Sequence, residues 1–430
     1  MRKALAVFSV LSLFNSLSPA QENAAKDFAT CWRQATAAYE AKDYPTYFEN
    51  LKAAVQFRPD NPTMKYNLAG ANALVGNKQE ALSLLANVAE MGLVYDPAAD
   101  TDFESIKNSD EFKSILGLIE KNKAPINHSQ VAFKLTEKDL ITEGVAYDPV
   151  SETFYVGSIH QRKIVSVDKQ GTIKDFATEQ NGLWSVFGLR VDAKQRALWV
   201  CSTVTPQMRG FQKEDQGKSA VLKFDLKTSK LVKQYSLPDQ SKRHWFGDLE
   251  ITSRGDVLVT DSQAPGAVYA IFAEKDSLEL FISSEPFRSP QGIVLSEDEK
   301  RLFIADYSIG VLVFDMATKK YVKLAAPANV SLIGIDGMYF YKNSLIAIQN
   351  GVRPHRVIRL FLDRNFDRVE RAEVIEANNH LFNEPTLGVL VKNELYYIAN
   401  SQWGSFNDDG SIFPLEKLQE PIIMKAQLNK

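Results

Sequence analysis

The spacing of apolar positions changes once along this chain, near residue 130. From 23 to 121 small and apolar residues recur at helical spacing; beyond 130 they alternate with period two. In the first part, "AYEAKDYPTYFENLKAAVQFRPDN" breaks at Lys42-Asp43 and ends near Pro59. "ALVGNKQEALSLLANVAEMG" repeats that layout 35 residues later and sets Ala38 against Ala73 and Ala54 against Ala89. Small residues at those places predict helices packed closely in pairs. The continuation "DFESIKNSDEFKSILGLIEKN" supplies Phe103, Ile106, Phe112 and Ile115 to cap the stack.

The second part repeats one phrase six times. It reads "EGVAYD" at Glu143, "FGLRVD" at Phe187, "GDLEIT" at Gly247, "QGIVLS" at Gln291, "DGMYFY" at Asp336 and "TLGVLV" at Thr386. The openings stand 44, 60, 44, 45 and 50 residues apart. A turn and a second strand follow each, such as "FYVGS" and "LIAIQN", then a third, and in five copies a fourth. Four-stranded antiparallel units at this period predict a six-bladed β-propeller, so the chain is mainly β with an N-terminal all-α domain. The sixth unit lacks its fourth strand because the chain ends at Lys430. "QVAFKLT", 130–136, is expected to supply it and so cover an exposed edge. A sandwich or barrel does not predict six equivalent units.

The boundaries follow: a signal at 1–20, helices at 21–125, a propeller at 126–430, with "KNKAPINHSQ" (121–130) as linker. The helical layout resembles tetratricopeptide repeats. That resemblance implies a groove for a protein or peptide partner; a purely structural appendage is the alternative. "MRKALAVFSVLSLFNSLSPA" has a basic start, a short apolar run and small residues before Gln21, the layout of an export signal. The expectation is a secreted or periplasmic protein without a membrane span. With 45% apolar and 24% charged residues and a net charge of -3, nothing favours nucleic acid as a partner. Cys31 and Cys201 fall in different domains and are expected as buried thiols rather than a bridge.

Blade geometry places the candidate chemistry. The first strand of a blade runs along the channel and the second returns beside it. The start of the first and the end of the second therefore share one face. Glu143, Phe187, Gly247, Gln291, Asp336 and Thr386 should ring one mouth, with His160, Asp261, Asp306, Gln349, Asn350 and Asn400 nearby. Converging carboxylates repel unless a cation or proton intervenes. Glu143, Gln291 and Asp336 offer only oxygens, which suits a hard cation, calcium first. Asp336 or Asp248 is a candidate general base. The glycine after an opening residue would let backbones crowd at the axis. Asp261 and Asp306 are expected to accept backbone hydrogen bonds between blades, and the histidines form no metal-ligand pair by spacing. Long insertions in "VTPQMRGFQKEDQGKS" and "SQWGSFNDDGSIFPLEKLQE" should wall the mouth.

"TEGVAYD", "SPQGIVLSEDEKRLFIADY" and "GIDGMYFY" resemble the senescence marker protein/gluconolactonase family, also called regucalcin-like, over roughly 130–430. That resemblance implies a calcium or other divalent cation in the channel, held at Glu143 and Asp336. It also implies hydrolysis of a lactone or sugar-like ester at the mouth. The family's Asn-Gly in blade four is Gln291-Gly292 here, and its Asn-Asp in blade three is Gly247-Asp248. These departures leave two readings open: a cation-dependent lactone or ester hydrolase, or a non-catalytic binding protein whose helices recruit a partner.

Overall fold

The computed structural model describes residues 27–239, 242–263, 265–282 and 287–429. The expected signal at 1–20 lies outside them. Among the described residues, five α-helices come first: α1 (Phe28–Glu40), α2 (Tyr44–Phe57), α3 (Pro62–Leu74), α4 (Lys78–Glu90) and α5 (Asp110–Asn122). Asp27, Asp43, Asn61 and Ser109 cap α1, α2, α3 and α5, each side chain accepting a backbone N–H of the first turn. α1 packs on α2 and α3 on α4. Ala38, Ala54, Ala73 and Ala89 are all buried, so the small residues stand where the helices meet. Phe103, Ile106, Phe112 and Ile115 join Leu85 and Ala89 in one core and close the stack.

Six antiparallel sheets follow. Their first strands are Thr142–Asp148, Ser185–Asp192, Phe246–Ile251, Pro290–Leu295, Ile335–Phe340 and Gly388–Val391. Each touches the next in sequence, and the sixth touches the first, so the sheets form a closed ring. In blades one to four the strands lie in chain order, innermost to outermost, and in blades five and six all but the outermost do. The alternation read from sequence serves this arrangement, since apolar side chains on both faces of a blade fill the spaces between neighbours.

The ring is closed by a strand from the front of the propeller. Ser129–Lys134 is the outer strand of blade six, with Ser129 opposite Ala426 and Lys134 opposite Ile422. This places N-terminal and C-terminal segments in one sheet. The preceding residues differ from the expected free linker. Ile126–Asn127 forms a fifth strand on blade five, paired with Ala377 and Glu376. The reason is Glu376, a buried carboxylate that accepts hydrogen bonds from the N–H groups of His128 (2.8 Å) and Ser129 (2.7 Å). A charged acceptor inside the fold needs donors, and the linker backbone provides them.

Cys31 and Cys201 are buried and not bridged. Among the described residues no helix is long and apolar enough to cross a membrane.

Candidate functional site

The opening phrase of each blade carries the same irregularity. In blade one Thr142 pairs with Ser158 and Val145 with Val156, so Glu143 and Gly144 together face Gly157. Blades two to five repeat this two-against-one bulge at Phe187-Gly188, Gly247-Asp248, Gln291-Gly292 and Asp336-Gly337. In blade six, Thr386 N–H donates to Ile398 O while Ile398 N–H donates to Leu387 O, so two residues again face one.

The second residue of the bulge explains the glycines. A Cβ on Gly144 would lie 2.2 Å from Phe187 O in the next blade, and one on Gly292 would lie 2.5 Å from Asp336 O. At Gly337 the neighbour is Thr386 O, at 2.9 Å. Here the requirement is close approach of two backbones, not a left-handed conformation. The circle closes where Leu387 N–H donates to Glu143 O at 3.2 Å.

The first residues of the bulges in blades one and five form the acidic centre. Glu143 and Asp336 are both buried. Trp403 Nε1 donates to Glu143 Oε2 at 2.7 Å and Ser401 Oγ at 3.2 Å, both from the insertion of blade six. Asn350 Nδ2 donates to Asp336 Oδ2 at 2.7 Å, and Tyr307 OH donates to Asn350 Oδ1 at 2.9 Å. Burial pushes the Glu143 carboxyl well up, and repulsion from Asp336 and Glu384 adds to it against the Trp403 and Ser401 hydrogen bonds. Burial likewise pushes Asp336 up to about 7; the Asn350 hydrogen bond opposes this, and the charges of Glu384 and Asp248 reinforce it. Glu384 is raised by burial too, with the Arg353 guanidinium opposing. Asp336 thus stands near enough to Glu143 for its charge to raise the Glu143 carboxyl.

An aromatic wall adjoins this centre. Phe187, at the matching position of blade two, lies between Trp403 (ring centroids 6.1 Å) and Trp245 (5.4 Å). The blade-six insertion packs Trp403, Phe406 and Ile412 against the core around Ile141, Ile159 and Phe187.

Gln291 and Gly247 must be read together. Gln291 Nε2 donates to Ser289 Oγ at 3.2 Å. Its Oε1 would lie 3.5 Å from a Cβ on Gly247, so the bare backbone there leaves room for the longer carboxamide. Asp248 is the second residue of its bulge, and its carboxylate faces Arg190 of blade two at 3.3 Å. Burial raises the Asp248 carboxyl while Arg190 holds it down. Asp248 is thereby tied to a cation, apart from the Glu143–Asp336 pair.

Other residues near the mouth are structural. Asp306 accepts from the N–H groups of Arg288 (2.6 Å) and Ser289 (2.8 Å), and Asp261 from Trp245 N–H (2.8 Å) and the His244 ring (2.6 Å). These bonds stay within one blade, not between blades as expected, because each acid ends the second strand beside the entry to its own first strand. Gln349 does the same by donating to Ser331 O and Ile333 O, each at 2.9 Å. Of the two carboxamides ending "LIAIQN", one ties the backbone and the other grips Asp336. His160 Nδ1 contacts Gln207 O at 2.7 Å, and burial followed by the Arg353 charge pushes His355 down to about 4.

Asn350 is expected near the mouth, but the sequence does not single out Trp403, Tyr307, Glu384 or Arg353 as site residues. Asn350 and Tyr307 each follow the second-strand end of their blade, and Glu384 stands two residues before the ring position Thr386. That periodic placement is the signal available for them; Trp403 has none, since it sits on an insertion without counterpart.

Cation fit can be judged from donor chemistry. Glu143 Oε1, Asp336 Oδ1 and Gln291 Oε1 accept no hydrogen bond among the described residues. These are three oxygens from three blades, with no thiolate or imidazole, a set suited to a hard cation. Both carboxylates are raised by burial, and Glu143 further by the charge of Asp336, a strain that a cation would relieve. Among the described residues no three His, Cys, Asp or Glu side chains are grouped to hold a metal, so any such site relies on carboxamide oxygen and water.

The model of the major royal jelly protein family matches residues 184–276, within blades two and three. No curated protein matches the chain. Similar solved structures include a luciferin-regenerating enzyme, at 14% identity over 71% of this chain and 96% of that one, with a TM-score of 0.49. A gluconolactonase from Xanthomonas campestris is 14% identical over 70% of this chain and 95% of its own, with a TM-score of 0.47. A calcium-binding regucalcin from Agrobacterium tumefaciens is 14% identical over 69% and 93%, with a TM-score of 0.49. Gluconolactonase- and regucalcin-type propellers are thus among the structures this chain is similar to. At such identities the likeness is one of fold, and the site is argued from its own residues.

Proposed function

We propose that the protein is an exported, divalent-cation-dependent hydrolase of a lactone or related ester, acting at the channel mouth. The observation that carries this reading is the buried pair Glu143 and Asp336, each raised by its surroundings and each with one oxygen uncommitted. Glu143, Asp336 and Gln291 would hold the ion, calcium by preference. Bound there, it would polarise a carbonyl and acidify a water.

The chain's own groups do the remaining work. Trp403 N–H and Ser401 OH fix one oxygen of Glu143 and leave the other free. Asn350 orients Asp336, and Tyr307 sets which way the Asn350 amide faces. Asp336, held at the mouth by Asn350, would serve as general base toward a water beside the ion. Asp248, committed to Arg190, supports the site from behind and does not carry protons. The blade-six insertion narrows water access and lays Trp403 and Phe187 against the substrate's apolar part.

A non-catalytic binding protein is the second reading. It is favoured by the paired departures Gly247 and Gln291, which fill each other's space and remove one donor. The test uses calcium and a simple lactone. Calcium should raise the melting temperature of the parent, because a ligand of the native state stabilises it. Glu143→Ala and Asp336→Ala should each abolish both that rise and turnover. Unchanged turnover in either variant refutes the hydrolase assignment. A parent that neither hydrolyses nor responds to calcium, magnesium or manganese supports the second reading.

A further inference from the structure

The helical domain has no part in the chemistry above, yet it rests on the rim that carries it. Its contact point is the turn after α4, Met91 to Tyr95, and its target is the blade-five loop 350–355. Val94 N–H donates to Arg353 O at 2.7 Å. Val88, Met91 and Leu93 bury themselves with Val352 of that loop. Arg356, almost wholly buried, donates from Nη1 to Met91 O at 2.8 Å and from Nε to Gln349 Oε1 at 2.7 Å. No carboxylate pairs with it among the described residues, and burial alone pulls it down to about 10. A buried guanidinium satisfied only by neutral oxygens is costly, so it persists where those bonds fix a geometry.

The same loop reaches inward. It begins at Asn350, whose amide grips Asp336, and carries Arg353, whose charge acts on Glu384. Gly351 N–H donates to Gly334 O at 3.1 Å, just before the Asp336 bulge, and the two glycine backbones meet so closely that a Cβ on Gly351 would lie 2.5 Å from Gly334 Cα. One contiguous path of contacts thus runs from Leu93 and Val94 through Val352 and Arg353 to Asn350 and Asp336.

We infer that the helical domain is a positioning element of the mouth: by clamping loop 350–355 from outside, it holds Asn350 against Asp336 and Arg353 beside Glu384. Leu93 and Arg356 are the positioning residues. The geometry stands by itself; its consequence for cation binding rests on the function proposed above. Asn87, Lys323 and Asp60 also join the domains, but at Ala328 and the outer strand of blade four, away from the loop.

The test uses the full chain. Leu93→Ala and Arg356→Met remove the clamp, and Asp60→Ala removes only an exposed pair that contributes little. Backbone hydrogen exchange over 349–357 and 330–338 reports whether the loop is held, and terbium luminescence reports cation affinity at the mouth. Leu93→Ala and Arg356→Met are expected to speed exchange in both segments and to weaken terbium binding about fivefold or more, the usual size of coupling through a packed path. Asp60→Ala is expected to do neither. Unchanged exchange in the two segments overturns the inference. So does a loosened loop with parental terbium affinity, because the clamp would then be merely structural. If the parent itself binds no terbium, the cation reading fails separately. The positioning inference is then decided by exchange at 330–338: faster in the clamp variants upholds it, unchanged sinks it.

Discussion

Two acids of a single strand, Glu143 and Asp148, lie five positions apart in Thr142–Asp148 and meet opposite fates. Both are buried. Asp148, at the rim away from the mouth, receives both nitrogens of the Arg196 fork at 2.6 Å each, the Ser151 hydroxyl and the N–H of Val150. Burial pushes its carboxyl up, but those donors outweigh it and hold it at about 2. Glu143, at the mouth, has two donors and faces further acids, and it rises instead. Burial sets the cost of the charge; the number of aimed donors decides whether it is met. The far rim is built for stability, whereas the mouth retains a charge deficit that a bound cation or proton would relieve.

That contrast can be broken from the far side. Arg196→Ala leaves Asp148 buried beside only its hydroxyl and backbone donors. It should cost roughly 2 kcal/mol, the cost of leaving a buried acceptor short of donors when the lost partner is itself partly exposed. A urea midpoint measurement checks this; a variant as stable as the parent would mean that Arg196 does not set the state of Asp148. The crowding between blades offers the next test. Gly292→Ala forces a Cβ onto the backbone at Asp336 and should destabilise by about 1–2 kcal/mol, with loss of cation binding through displacement of that residue. Loss of stability without loss of binding would separate ring packing from the site.

The smallest effect is in pH dependence, and its sign differs at the two ends. Asp148 is depressed, so its contribution is present above the ordinary aspartate value and fades as pH falls toward about 2. Asp336 is raised to about 7, so its contribution is full below the ordinary value and is lost as pH rises through 7. His355, held down at about 4, contributes with the opposite sign, so without calcium the loss of melting temperature from pH 5 to pH 8 should be greater in the parent than in Asp336→Asn. Added calcium should shrink the difference by stabilising the ionised pair. The same pH dependence in parent and variant would show that Asp336 is not raised.

The fold was largely legible because its signals are local and repeated. Alternation marks strands, spacing marks blades, and counting from each opening phrase locates the mouth. This is enough to expect Glu143 and Asp336 on one rim and to assign 130–136 to blade six, where the strand observed is Ser129–Lys134. The glycine of the phrase was legible too, since backbones crowd near the axis of any such ring. The pairing of Ile126–Asn127 with blade five was not legible, because nothing local reveals that Glu376 would need the N–H groups that follow.

What the sequence determined by itself was the disc, its six equivalent edges and the acids placed on one of them. Tertiary structure alone decided which side chains those acids would meet. Trp403 reaches Glu143 across 260 residues on an insertion, Asp248 turns to Arg190, and Gln291 takes the space that Gly247 leaves. Periodicity fixes where a backbone position falls in a repeating lattice. Partners are fixed by loop paths and side-chain volumes, which follow no period and exist only once the ring has closed.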